Sequence, residues 1–289
     1  MPFDLFPDLG APIRSFTNEF VDVLIIEHGD VFESIANAIL RVLVPIEQTL
    51  RGAPPWLILI LVAIIAYLAS RRVVLTILIV FAAWLLGALG LWEQAMQTIA
   101  ITAVSVIISV VLGLPVGIIA ARSTGFRTAL NPALDLMQTI PSFVYLIPAA
   151  MLFGLGKVPA ILATVVYAAP PLIRLTDLGI RMVDATLVEA ARSFGASRMK
   201  ILTSVQIPLA LPSIMQGVNQ TMMMALAMVV IASMIGARGI GETVLIGLQR
   251  ADPGLGLVGG IGIVLLAIIF DRISQAFGAR LQAHRSVGN

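Results

Sequence analysis

From Gln94 to Ala121, and again from Ile201 to Ala237, no aspartate, glutamate, lysine, arginine or histidine interrupts the chain. At about 1.5 Å per helical residue, runs of that length cross a hydrocarbon layer about 30 Å thick. No water is available there, so the backbone must satisfy its own hydrogen bonds, and a helix does so within one segment. These two runs predict an all-α integral membrane protein. Composition agrees: 59% of residues are hydrophobic, 12% are charged, and the mean hydropathy is +1.01. A soluble domain cannot bury so much apolar surface. The net charge of +2 is too small to suggest a nucleic-acid partner, and the absence of cysteine excludes disulfides and thiolate metal sites. The opening MPFDLFPDLG has neither a basic nor an apolar run, so no cleaved signal peptide is expected.

Hydropathy breaks and prolines divide the chain into segments. Residues 1–52 form an outer or interfacial segment with eight acids (Asp4, Asp8, Glu19, Asp22, Glu27, Asp30, Glu33, Glu47) against Arg14, Arg41 and Arg51. In it Val31, Ile35, Ile39, Val42, Ile46 and Leu50 recur at helical steps. That spacing predicts an amphipathic helix bent at Pro45, either lying on the membrane surface or packed on the bundle. Residues 53–93 hold two spans, Trp56–Ala69 and Val73–Trp92. The first is short for a bilayer that takes about 20 residues. Residues 94–278 hold five more: Gln94–Ala121, Leu134–Leu155 broken by Pro141 and Pro148, Val158–Ile173 broken by Pro170-Pro171, Leu209–Ala237 and Leu255–Phe270. A tail, 279–289, closes the chain. Seven spans place the termini on opposite sides. Putting the 184–208 loop inside gives twelve basic residues inside and six outside, so the N-terminus is expected outside and the C-terminus in the cytoplasm.

The loop 184–208 is unusually polar for its position. Thr186 and Glu189 have the spacing of a capping box. Gly195 can end the first short helix in the left-handed conformation, Ser197 can cap a second, and Pro208 suits the start of a third. Arg192, Arg198 and Lys200 surround this helix–glycine–helix unit. On physical grounds alone it is equally an ordinary cytoplasmic loop with a basic bias. The residues add more. Glu189-Ala190-Ala191-Arg192, then Gly195-Ala196-Ser197, then Val205-Gln206-Ile207-Pro208 resemble the EAA loop of ATP-binding-cassette (ABC) importer permeases. In that family the loop is the coupling helix that docks on the ATPase. The resemblance therefore implies ATPase-coupling roles for Glu189, Ala190, Ala191, Arg192, Gly195, Ala196, Ser197 and Pro208.

Several further stretches are similar to the glycine betaine, proline betaine and choline branch of these permeases. They are Met137–Tyr145, Leu152–Gly156, Gly217–Thr221, Met228–Ile235 and Asp271-Arg272. The resemblance covers roughly 94–278. It implies a type I, binding-protein-dependent importer used in osmoprotection, seated in a bacterial cytoplasmic (inner) membrane among lipid. Its assembly would be two copies of this permease, two cytoplasmic ATPase subunits and an external substrate-binding protein. ATP and magnesium would belong to the ATPase, so this chain would be a transport subunit and not an enzyme. An amino-acid or methionine importer permease is the nearest alternative, and an ATP-independent channel or carrier a more distant one. Quaternary ammonium groups favour aromatic cages. Three tryptophans and three tyrosines, scattered along the chain, place selectivity in the binding protein instead.

Candidate path residues are polar groups inside spans. Gln138, Thr139, Ser142 and Tyr145 flank Pro141, and Gln216, Asn219, Gln220 and Met224 lie on the sixth span. Intramembrane amides either line a path or join helices. Thr98, Thr102, Ser105, Ser109, Gly113 and Gly117 make a small-residue ridge suited to close helix packing. Neither uncharged run offers the ionisable relay of an ion-coupled carrier. Gly236–Thr243 has the glycine spacing of a phosphate loop, but Glu242 stands where lysine belongs and no strand precedes it. It reads as an outer turn or re-entrant bend. His28 and His284 lie near the termini, and no catalytic or metal-ligating constellation is visible.

Overall fold

The computed structural model describes residues 9–286, with side chains through Arg280. The expectations resting on Asp4, Asp8, His284 and Arg285 fall outside those side chains. All regular structure among the described residues is helical. The helices are α1 (Gly10–Gly52), α2 (Pro55–Ser70), α3 (Val73–Ala88), α4 (Trp92–Arg122), α5 (Thr124–Thr139), α6 (Leu146–Phe153) and α7 (Lys157–Arg181). Then come α8 (Ala185–Ser193), α9 (Arg198–Ile201), α10 (Ile207–Ile231), α11 (Ile240–Gln249) and α12 (Pro253–Ser286).

The core is α7 clasped between α4 and α10. The small-residue ridge of α4 is buried in full and sets how closely these helices approach. A Cβ on Gly117 would lie 2.7 Å from the Thr176 Cβ and 2.8 Å from the Ile173 carbonyl oxygen, so only glycine allows that crossing. Pro170 and Pro171 were expected to break the helix, yet α7 runs through them to Arg181. Both prolines are buried between neighbouring helices, which hold the segment helical. Thr221 of α10 donates to the Ala168 carbonyl at 2.8 Å, beside the pair.

Proline position misleads elsewhere too. In α1 the departure from helical geometry is at His28 (φ −125°, ψ 17°), not at Pro45. It precedes Gly29, a weak helix former, and Phe32, whose ring meets Phe153 edge-on at 5.4 Å. Beyond that bend Ile39 and Leu43 pack on Ile101, Val104 and Ile161, so this half of α1 belongs to the bundle. Val31, Ile35 and Val42 of the expected stripe are exposed. The fourth predicted span bends by 107° between α5 and the turn opening α6. Its break is at Ile140-Pro141, while Pro148 sits inside α6, near its start, where a missing N–H is tolerated.

Where the sequence predicts seven spans, four helical rods are long and apolar enough to cross alone, or six if each bent pair is one span. Counted as six, α2 enters as the second half of a pair bent by 110° with α1, and the expected span left over is α3; α2 and α3 have 16 residues each, about 24 Å at 1.5 Å per residue. The glycine-rich Gly236–Thr243 stretch is a turn into the short helix α11. The Ile240 N–H there donates to the Thr98 hydroxyl at 3.0 Å, so a donor that a phosphate would need is already used.

Candidate functional site: the α8 knob and the polar face of α10

The knob starts at an acid, not at Thr186. Asp184 caps α8, accepting from the Thr186 N–H and from the Thr186 hydroxyl, each at 2.9 Å. Thr186 lies inside the first turn of α8, which takes it out of the capping position. These two hydrogen bonds hold the Asp184 carboxyl below the usual carboxylate range. The far end closes as a Schellman motif. The Ala196 N–H donates to the Ala191 carbonyl at 3.1 Å and the Gly195 N–H to the Arg192 carbonyl at 2.9 Å. Gly195 sits at φ +75°, which a Cβ would strain. Ser197 then caps α9, accepting from the Lys200 N–H at 3.3 Å.

Pro208 falls in the first turn of α10, as its residue type suits, but that helix follows on from the one before it. From Arg198 the chain stays helical to Ile235, a 38-residue rod. Residues Leu202–Gln206 form a π turn in it, closed by the Ile207 N–H on the Leu202 carbonyl. That wider turn absorbs the donor lost at Pro208 without breaking the rod. The knob is thereby joined to α10 through α9 and the π turn, both of which α8 contacts.

Glu189, Ala190 and Arg192 are exposed, while Ala191 and Ala196 are half-buried against each other at the Schellman closure. The sequence reading missed the most prominent group here. Phe194, between the helix end and Gly195, is 92% exposed. Leu187 and Met199 are exposed with it. An aromatic residue immediately before the turn glycine is the signal that could have found it.

The candidate path residues divide. Gln138 and Thr139 are exposed at the end of α5. Ser142 and Tyr145 are half-buried in the bend, and the Tyr145 hydroxyl donates to the Met137 carbonyl at 2.6 Å, bracing it. The Tyr145 ring lies 6.1 Å from that of Tyr167 on α7. On α10, Gln216 and Gln220 share an exposed face with Leu209 and Ala227, and Met224 is half-buried. Asn219 points elsewhere, donating to Asp271 of α12 at 3.3 Å. It therefore joins helices, while the exposed Gln216 lines the cleft between α10 and α12 beside it and Gln220 is exposed one turn further along.

Two ion-pair groups were not foreseen. Glu47, 6% exposed, accepts from Lys157 Nζ at 2.6 and 2.7 Å and pairs with Arg51, which also pairs with Glu93. This group pins α1 to the starts of α4 and α7. At the other end of α7, Asp177 pairs with Arg181 at 2.8 Å and Arg174 with Asp135 of α5. No group of three or more His, Cys, Asp or Glu side chains that could hold a metal ion occurs among the described residues.

Comparisons with known proteins agree with this geometry. Residues 113–283 match the family described as binding-protein-dependent transport system inner membrane component. The chain is 46% identical over 288 residues to the glycine betaine/proline betaine transport system permease protein ProW of Escherichia coli (strain K12), covering 99% of this chain and 80% of that one. It is 42% identical to the glycine betaine transport system permease protein OpuAB of Bacillus subtilis (strain 168), covering 91% of this chain and 93% of that one. Among solved structures, an inward-facing MetNI methionine ABC transporter matches with a TM-score of 0.57 and 27% identity, over 67% of this chain and 95% of that one. An all-α membrane architecture, an exposed EAA knob and these matches lead to one assignment: the chain belongs to the binding-protein-dependent inner membrane components, as a permease subunit of an ABC importer.

Proposed function

We propose that this permease carries glycine betaine or a closely related compatible solute, such as proline betaine or choline, on ATP hydrolysed by a partner chain. The reading rests on the relatives more than 40% identical over nearly the whole chain, whose names specify glycine betaine. The methionine system, similar at 27% identity, is the runner-up.

The mechanism uses the knob and the rod. Two ATPase subunits receive α8 of two permease copies, with Phe194 and Glu189 as the docking groups. Closure of the ATPases around ATP and magnesium displaces α8. The rod from Arg198 to Ile235 carries that displacement to the level of Gln216 and Gln220. Amides facing hydrocarbon are unfavourable, so their exposed face calls for a covering surface. A second permease copy supplies it, and the solute passes between the two. An external binding protein delivers the solute. The positive-inside rule favours a cytoplasmic α8 end, and an N-terminus outside with the C-terminus inside is the arrangement this reading carries.

The test is ATP hydrolysis by the permease reconstituted with its ATPase and binding protein in lipid vesicles. Glycine betaine is expected to raise hydrolysis several-fold, and Glu189→Lys to abolish the increase. Stimulation by methionine alone would move the substrate. Failure of any ATPase to co-purify would overturn the coupling role.

A further inference from the structure

Two clefts at the α8 end of the bundle contain three or more arginines, and they differ in charge balance. The cleft between α5 and α7 holds Arg127, Arg174 and Arg181, but also Asp135 and Asp177, which pair with two of the three. The cleft between the α2–α3 turn and the end of α12 holds Arg71, Arg72, Arg272 and Arg280, and no acid lines it. Its volume is about 520 Å³. Among the described residues none of its four guanidinium groups is in an ion pair. Arg280 donates to the Leu68 carbonyl and Arg71 lies 6.0 Å from the centre of the Tyr67 ring, so two of the four are fixed in place by neutral partners. The first turn of α3, from Val73, adds its free N–H groups and the positive end of its dipole. Four like charges gathered in one concavity repel one another unless an anion sits among them.

We propose that this cleft binds a phosphate-bearing anion, the headgroup of an anionic membrane lipid. Guanidinium groups fit phosphate oxygens in a bidentate manner. The surroundings select lipid over a soluble phosphate. Ala69, Leu75, Ala276 and Ala279 line the cleft. Leu68, Val73, Val74 and Ile77 beside it are exposed and apolar, a surface for acyl chains. Basic pockets between membrane helices take such headgroups. Bound there, the lipid would tie the α2–α3 hairpin to α12, two elements that meet at this end through the Arg280 contact. The site does not depend on which solute is carried.

The full chain in detergent, assayed by native mass spectrometry with added phosphatidylglycerol or phosphatidylcholine, tests this. The unaltered chain is expected to retain phosphatidylglycerol about tenfold over phosphatidylcholine. Arg72→Gln with Arg272→Gln should erase that preference, and Arg72→Lys with Arg272→Lys should keep most of it. Arg122→Gln with Arg127→Gln, outside the cleft, should leave it unchanged. Equal loss in the control pair, or full retention in the cleft pair, overturns the site. Thermal stabilisation by inorganic phosphate without any lipid preference overturns the lipid as the source and leaves a soluble anion in its place.

Discussion

The two ends of this permease are held by opposite means. At the Glu47 end, one buried carboxylate is matched by Lys157 and Arg51, and the more exposed Glu93 extends the group, joining three helices that are far apart in sequence. At the α8 end, the knob is held by its own caps at Asp184, Gly195 and Ser197, and its apolar groups face outward. A buried ion group stabilises one arrangement and penalises others. A capped but exposed helix keeps its shape while leaving its contacts for a partner. One end is therefore a fixed hinge for the chain itself, and the other is a handle.

Substitutions at each end separate these roles. Lys157→Met takes from the buried Glu47 carboxylate its two short hydrogen bonds and leaves only the 3.5 Å contact with Arg51. Removing one partner of a buried pair costs about 3–5 kcal/mol. Lys157 keeps a quarter of its exposure, so a value near the lower figure is expected. A lowered thermal midpoint in detergent and faster hydrogen exchange in α1 would report it, with ATPase binding intact. Phe194→Ala should do the reverse. An exposed aromatic that becomes an interface anchor is worth about 2 kcal/mol, roughly thirtyfold in ATPase affinity. Chain stability should not change, and a shifted midpoint would show that Phe194 serves the fold. Gly195→Ala strains a left-handed position by about 1 kcal/mol. It should weaken ATPase co-purification slightly while retaining insertion.

The smallest effect concerns Asp184. Its carboxyl is depressed by the Thr186 hydrogen bonds, so the cap's contribution is present above the unfolded-state carboxylate range. It is lost as pH falls through the lowered folded value. Exchange at the start of α8 should accelerate only below the ordinary aspartate range, and Asp184→Asn should remove that step. A step at higher pH would assign the cap to another group.

Much of the knob was legible because its rules are local. Gly195 and Ser197 perform the roles their residue types and spacing indicate. Asp184 and Thr186 competed for one cap, and only geometry decides between neighbours two residues apart. The prolines were misread for a different reason. Pro170-Pro171 is a breaker in isolation, but packing against α4 and α10 outweighs local preference. The Glu47–Lys157 pair joins positions 110 residues apart, a separation that no periodicity reports. Gln216 and Gln220 were legible as polar, and their exposure, with Gln216 at the α10–α12 cleft, required the packed helices.

The π turn at Leu202–Gln206 has a consequence for aim. Each helical residue advances about 100° around the axis. A turn that closes over five residues instead of four holds one extra. The faces above and below it are therefore offset by about 100° from those of an uninterrupted α-helix. The azimuth of Gln216 and Gln220 relative to α9 is set by these five residues. Deleting one of them would leave both ends intact and swivel the amides toward a different neighbour, like a key cut correctly on a shaft turned in its bow.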